Sequence, residues 1–132
     1  MTTHSTTTAA EMVAEAKRHV ENLTPAEVAA ELQDGDPLLV DLREPSELSE
    51  QGTIRGSVHA VRGMLEFYAD PTSPYHRPEF QPERRVILHC ASGGRSALAA
   101  ATLTRLGYTD VAHLEGGLKA WREQGLAVET SR

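Results

Sequence analysis

The stretch from Val86 to Ala101 constrains the fold more than any other, because an apolar run, a glycine turn and a strong helix former follow one another directly. Val86-Ile87-Leu88 has β character, and Ala97-Leu98-Ala99-Ala100-Ala101 is as strong a helix former as the chain contains. Between them lies His89-Cys90-Ala91-Ser92-Gly93-Gly94-Arg95-Ser96, which holds the only cysteine. When a strand feeds a helix through such a turn, the helix's first N–H groups have no intrahelical partners and converge above the loop, as an anion cradle. Placed there, Cys90 meets the helix dipole and the charge of Arg95, and both favour thiolate over thiol. A lone cysteine is ordinarily a small buried hydrophobe. A core cysteine, however, needs neither Gly93-Gly94, which adds backbone entropy to be lost on folding, nor an arginine five residues on. The loop reads as the seat of a reactive cysteine.

The rest of the chain repeats the theme. Residues 1–10 are polar and Thr-rich and read as a flexible tail, and residues 11–22 as a modest amphipathic helical extension. Thr24-Pro25-Ala26-Glu27 is a capping-box start with proline at the first helical position, for a helix running to Gln33. Leu38 to Leu42, Ser57 to Val61, Arg85 to His89 and Val111 to Leu114 read as strands. Pro45 to Gln51, Met64 to Ala69, Gly94 to Leu106 and Gly117 to Gln124 read as helices. Four prolines make Asp70 to Pro82 a loop. Helices alternating with short apolar strands predict an α/β domain whose central, mostly parallel sheet is covered by helices on both faces. In such sheets ligands collect at the carboxyl ends of strands. Asp41-Leu42-Arg43 and Cys90 both lie at such ends, which places an acid, a cation and a nucleophile on one rim.

A net charge of −6 argues against general binding to nucleic acid or to an acidic membrane. One cysteine excludes an intramolecular disulfide, and no Cys/His cluster has a zinc-ligand spacing. The N-terminus lacks the basic and apolar regions of a secretory signal, and no apolar run reaches membrane-spanning length. A cytoplasmic, reducing home is the expectation, and it suits a free thiolate.

Three separated motifs carry a resemblance. They are Leu39-Val40-Asp41-Leu42-Arg43-Glu44-Pro45 with Glu47 following and then Gly52-Thr53-Ile54-Arg55-Gly56-Ser57; the loop Cys90 to Ser96; and Leu114-Glu115-Gly116-Gly117-Leu118-Lys119-Ala120-Trp121. In this order they resemble a single-domain rhodanese, a sulfurtransferase module, over residues 23–128, with 129–132 left as a tail. One segment departs from the family: its usual Gly-His-Ile-Pro-Gly-Ala stands here as Gly52-Thr53-Ile54-Arg55-Gly56-Ser57, a structural segment. The resemblance implies a single rhodanese-like domain and a two-step transfer. Cys90 would take the outer sulfur of thiosulfate or a related donor as a persulfide, and a thiol or cyanide would then remove it. The N–H groups of Ala91, Ser92, Gly93, Gly94, Arg95 and Ser96 would hold the anionic sulfur, with no metal or organic cofactor. An acceptor protein is a possible partner in place of a small molecule.

Other residues carry two readings each. Arg95 either steers an anionic donor or turns inward onto Asp41, Glu44 or Glu47, and the acidic balance favours the second. Arg43 and Arg62 are supporting candidates for anion steering, against a solvated surface role. His89 is a candidate base, but side chains alternate along a strand, which favours the core side. His59 and His113 read as core or rim histidines, and Gly116-Gly117 as a tight connection rather than a second anion nest. Two rivals to sulfur transfer stand. A Cys-based phosphatase or arsenate reductase needs Cys-x5-Arg, whereas the spacing here is Cys90-x4-Arg95, narrower and better suited to one sulfur atom. A persulfide-carrier or protein-interaction module is the second rival, and the retained cysteine and glycines argue against a purely non-catalytic role.

Overall fold

Short apolar strands alternate with helices through the computed structural model, which describes residues 6–130. The order is α1 (Ala9–His19), β1 (Glu21–Leu23), α2 (Pro25–Asp34), β2 (Leu38–Asp41), α3 (Pro45–Gln51), β3 (Val58–His59), α4 (Leu65–Ala69), β4 (Val86–His89), α5 (Gly94–Arg105), β5 (Val111–Leu114) and α6 (Gly117–Glu123). A 3-10 turn, Arg62–Met64, leads into α4. The five strands form one sheet in the order β1-β5-β4-β2-β3, and every pairing is parallel. Parallel neighbours require crossovers, and the helices that supply them cover both faces.

Strands β2 and β4 sit inside the sheet, buried at every position, which is why they read as unbroken apolar runs. Their side chains alternate between two cores. Val40, Val86 and Leu88 pack on one face with Leu65 of α4 and Ala99 and Leu103 of α5. Leu39 and Ile87 pack on the other with Val28 of α2 and Leu118 and Trp121 of α6. Among the described residues no helix is long and apolar enough to cross a membrane.

The chain ends differ from the sequence expectation. Helix α1 starts at Ala9, not after residue 10, because Thr8 and Glu11 form a capping box: the Glu11 N–H donates to Thr8 Oγ1 at 3.0 Å and the Thr8 N–H to Glu11 Oε1 at 2.9 Å. Residues 1–5 of the expected tail lie outside the described residues. The helix also stops earlier than expected, at His19, and Glu21–Leu23 forms an edge strand on β5. With two exposed polar residues out of three, that strand carries no alternation to betray it. At the other end the expected tail from residue 129 is one residue too long, since Thr53 and Glu129 exchange backbone hydrogen bonds of 2.8 and 2.7 Å. Residues 131–132 lie outside the described residues.

Candidate active site

Strand β4 ends at His89 and delivers Cys90 to the mouth of α5, whose first helical residue is Gly94. Gly93 caps that helix in the left-handed region (φ 103°), where a Cβ would also approach Gly116 N to 3.1 Å. This turn aims backbone donors at sulfur: the Gly93 N–H reaches Cys90 Sγ at 3.2 Å and the Ser96 N–H at 3.4 Å. Cys90 itself is 1% exposed, so its sulfur sits at the floor of the cradle.

The second glycine pair serves the first. Helix α6 begins at Gly117, and its N–H groups donate back into the cysteine loop, Leu118 to the Cys90 carbonyl at 2.9 Å and Lys119 to the Ala91 carbonyl at 3.0 Å. Gly116-Gly117 is thus a tight connection that engages the Cys90 and Ala91 carbonyls, while the Gly93 and Ser96 N–H groups of the loop reach the sulfur. Gly117 has φ 62°, and a Cβ there would stand 2.5 Å from the Ala91 carbonyl carbon and 2.6 Å from Cys90 O. We expect Gly117→Ala to destabilise the fold by about 2–4 kcal/mol in urea unfolding and to loosen the cysteine loop. An unchanged midpoint would contradict this clamp.

Arg95 turns inward. Its guanidinium forms a two-pronged pair with Glu47, at 2.8 and 2.9 Å, choosing this carboxylate over Asp41 and Glu44. Glu47 sits in the first turn of α3 and also accepts the Glu44 N–H at 2.8 Å. The hydrogen bonds from Arg95, opposed by partial burial and aided by the Glu44 N–H, hold the Glu47 carboxyl well down, to about 2. The pair ties α3 to the cysteine loop.

Two nominated cations are not brought to the sulfur. Arg43 is wholly buried, with Nε and Nη2 on the two Asp41 carboxylate oxygens at 3.0 and 2.7 Å and Nη2 also on the Gly52 carbonyl at 2.8 Å. The expectation that Arg43 steers anions is therefore corrected: Asp41, two residues earlier, engages its charge away from solvent. Asp41 likewise is no rim acid, since it is buried in this pair. Burial alone would raise its carboxyl, but the hydrogen bonds and charge of Arg43 outweigh that and hold it below the usual carboxylate value. Arg62 bonds Glu66 at 3.0 Å and Thr102 Oγ1 at 3.4 Å. Thr102 lies roughly 9 Å along α5 from Ser96, at the helical rise per residue, so Arg62 stands beside the helix rather than over its N-terminus.

His89 is fully buried beside Asp41, its Nε2 3.8 Å from Asp41 Oδ2, and neither ring nitrogen has a hydrogen-bond partner among the described residues. Burial pushes it down to about 4, the Asp41 charge notwithstanding, so it is neutral. The histidine that does reach the site is His113. Its Nδ1 lies 2.9 Å from Ser96 Oγ, and that oxygen lies 3.6 Å from Cys90 Sγ. In sequence His113 is one more residue of an apolar strand. Only the parallel register, which sets it beside Leu88 of β4, carries it to the cysteine.

Comparison with known proteins follows the same lines. A family model described as the rhodanese-like domain matches residues 24–124. A sulfurtransferase of Allochromatium vinosum is 36% identical over 93 residues, covering 70% of this chain and 78% of that protein. Some other curated relatives are longer, and the match spans 24% of their length. Among solved structures, a Rhodopseudomonas palustris protein of unknown function, described as a possible tyrosine phosphatase, superposes with a TM-score of 0.90 at 43% identity, covering 98% of this chain and 99% of that one. The polysulfide-sulfur transferase homodimer of Wolinella succinogenes superposes with a TM-score of 0.71 at 31% identity, covering 88% and 82%.

Proposed function

The chain belongs to the rhodanese-like domain family, and on that premise we propose that it is a sulfurtransferase carrying sulfane sulfur as a persulfide on Cys90. The observation that carries this reading is the pair of backbone donors, Gly93 and Ser96, aimed at the sulfur of the only cysteine in the chain. In the first step the Cys90 thiolate attacks the outer sulfur of thiosulfate. A new Sγ–S bond forms, the donor's S–S bond breaks, and sulfite leaves with the electron pair. The terminal sulfur now carries the negative charge, which loop N–H groups stabilise without reorganising. In the second step a thiolate or cyanide attacks that terminal sulfur, the Sγ–S bond breaks, and Cys90 is restored as thiolate. A polysulfide enters the same scheme as donor, and an acceptor protein in place of a small thiol changes only who attacks. No metal or organic cofactor takes part.

The rival reading is phosphate chemistry, which the description of the Rhodopseudomonas palustris neighbour raises. Two features of the loop weigh against it. A phosphatase loop wraps a tetrahedral oxyanion with Cys-x5-Arg, and this one is a residue shorter. Its arginine, moreover, is already paired with Glu47. The test is intact-protein mass spectrometry after brief incubation with thiosulfate or polysulfide, and again after cyanide. We expect the mass of one added sulfur atom, removed by cyanide. An unchanged mass with both donors, together with turnover of an aryl phosphate or arsenate, would replace this reading with the rival.

A further inference from the structure

Behind the cradle lies a row of polar side chains that persulfide chemistry alone leaves without a role. From Cys90 Sγ it runs to Ser96 Oγ at 3.6 Å, then to His113 Nδ1 at 2.9 Å, and from His113 Nε2 to Asn22 Oδ1 at 2.7 Å. Asn22 belongs to β1, just before the residues that the family model matches. Its amide has a defined orientation, because Nδ2 lies 2.9 Å from the Lys17 carbonyl and 3.0 Å from the Val20 carbonyl. Carbonyl oxygens only accept, so the amide nitrogen faces them and Oδ1 faces His113. Nε2 must then carry the imidazole hydrogen, which leaves Nδ1 to accept from the Ser96 hydroxyl. With its hydrogen directed at His113, Ser96 Oγ turns a lone pair toward Sγ and accepts the thiol hydrogen.

We propose, resting on the sulfurtransferase reading of Cys90, that His113 takes up the Cys90 proton through Ser96, and that Asn22 holds His113 in the tautomer that permits it. The balance is one proton. The thiol hydrogen passes to Ser96 Oγ as the Ser96 hydrogen passes to His113 Nδ1, giving thiolate and imidazolium. Ser96 keeps one hydrogen throughout, now donated to the thiolate. The hydrogen bonds from sulfur to imidazole are all satisfied before and after, with their direction reversed. A thiolate beside neutral His113 lacks that completeness, because one Ser96 hydrogen would face two acceptors. The proton leaves as Sγ attacks the donor, and Cys90, once expelled from the persulfide as thiolate, takes a proton back through the same row.

The groups around His113 suit a neutral acceptor. Leu88 of β4 is its apolar partner in register, and Ser96 of α5 and Asn22 of β1 bind its two nitrogens. Glu115 Oε1 lies 3.6 Å from Nε2, while Lys17 of α1 binds the other Glu115 oxygen at 2.8 Å. Burial pushes His113 down to about 4, Glu115 raising it and Lys17 lowering it, so its Nδ1 lone pair is free at neutral pH and its imidazolium is a short-lived form that gives the proton up again. His113 acts through Ser96 and is a positioning residue rather than a group in contact with substrate.

The test measures alkylation of the sole cysteine by iodoacetamide, from mildly acid to alkaline pH, in the full chain and in His113→Asn, Ser96→Ala and the double variant. Asparagine at 113 keeps a polar partner for Ser96 but takes up no proton. Near neutral pH each single variant should be about a hundredfold slower, the low end of what a positioned base supplies. The double variant should be no slower than either single, since both break one row. All should converge with the parent at alkaline pH, where hydroxide removes the proton. Losses that multiply in the double, or a uniform loss at every pH such as a displaced loop would give, would overturn the relay. Should His113→Asn fail to fold, Ser96→Ala and Asn22→Ala must show the same pH-dependent loss, and a flat profile in both overturns the proposal. No sulfur donor is involved. A relay seen here, with no sulfur loading from thiosulfate or polysulfide, would sink the sulfurtransferase reading alone. Sulfur loading with an unchanged alkylation profile would sink the relay alone.

Discussion

Cys90→Ser is expected to lower sulfur transfer by at least about a thousandfold, since removing a covalent nucleophile can cost on the order of a millionfold. Serine keeps nearly the shape of cysteine, so the buried floor of the cradle stays filled. Its hydroxyl oxygen also accepts hydrogen bonds, so the Gly93 and Ser96 N–H groups that reach Sγ keep an acceptor. A hydroxyl, however, is not ionised near neutral pH and forms no persulfide. With no second cysteine in the chain, no other thiol can take over. The melting temperature should therefore stay within about 3 °C, a stability change below roughly 1 kcal/mol for a chain of this size. Thiocyanate release and intact mass, read beside the melt, separate the two effects. Substantial transfer by folded Cys90→Ser would mean that sulfur does not travel on Cys90.

The parts of this fold legible in the sequence are those whose physics is local. Buried parallel strands are apolar on both faces, so Leu38–Asp41 and Val86–His89 declare themselves as continuous runs. The cysteine cradle is also local, since Gly93, Gly94 and the helix start lie within a few residues of Cys90. What stayed hidden depends on register or on distant partners. Arg43 at a strand end looks like a rim cation, and only the fold of the chain around Asp41 and Gly52 encloses it. Arg95 had several carboxylates in reach by composition, and the position of α3 selects Glu47. The purpose of Gly117 depends on its meeting the Cys90 and Ala91 carbonyls, far back in the chain. His113 and Asn22 meet because β1 and β5 pair in parallel, and β1 carries no sequence signal of its own.

Arg43→Met should be the most damaging single change to stability, at about 3–5 kcal/mol, the usual loss when one partner of a buried ion pair is removed. Methionine replaces the buried stem with an apolar chain of similar length, so the loss comes mainly from Asp41, left fully buried without its cation. His89 is a poor substitute, because its nearest nitrogen is 3.8 Å away and burial disfavours its charge, although the loss of Arg43 removes one of the influences that lower it. The pH dependence should reverse as well. In the parent, Asp41 is held below its usual value, so its contribution is present above the unfolded carboxylate range and is lost as pH falls through the folded value. Without the guanidinium, burial outweighs what remains, the residue-43 backbone N–H at 3.1 Å and the His89 charge, and raises the carboxyl. The group then favours the fold in acid, and that contribution is lost as pH rises. The stability gap between parent and variant, measured by urea unfolding, should therefore widen from acid toward neutral pH. Adding Asp41→Asn to Arg43→Met should recover most of the loss, because a neutral pair leaves no uncompensated charge. If the two substitutions instead add, or if the gap is the same at every pH, Asp41 and Arg43 are not the coupled pair that fastens β2 beneath the cysteine loop.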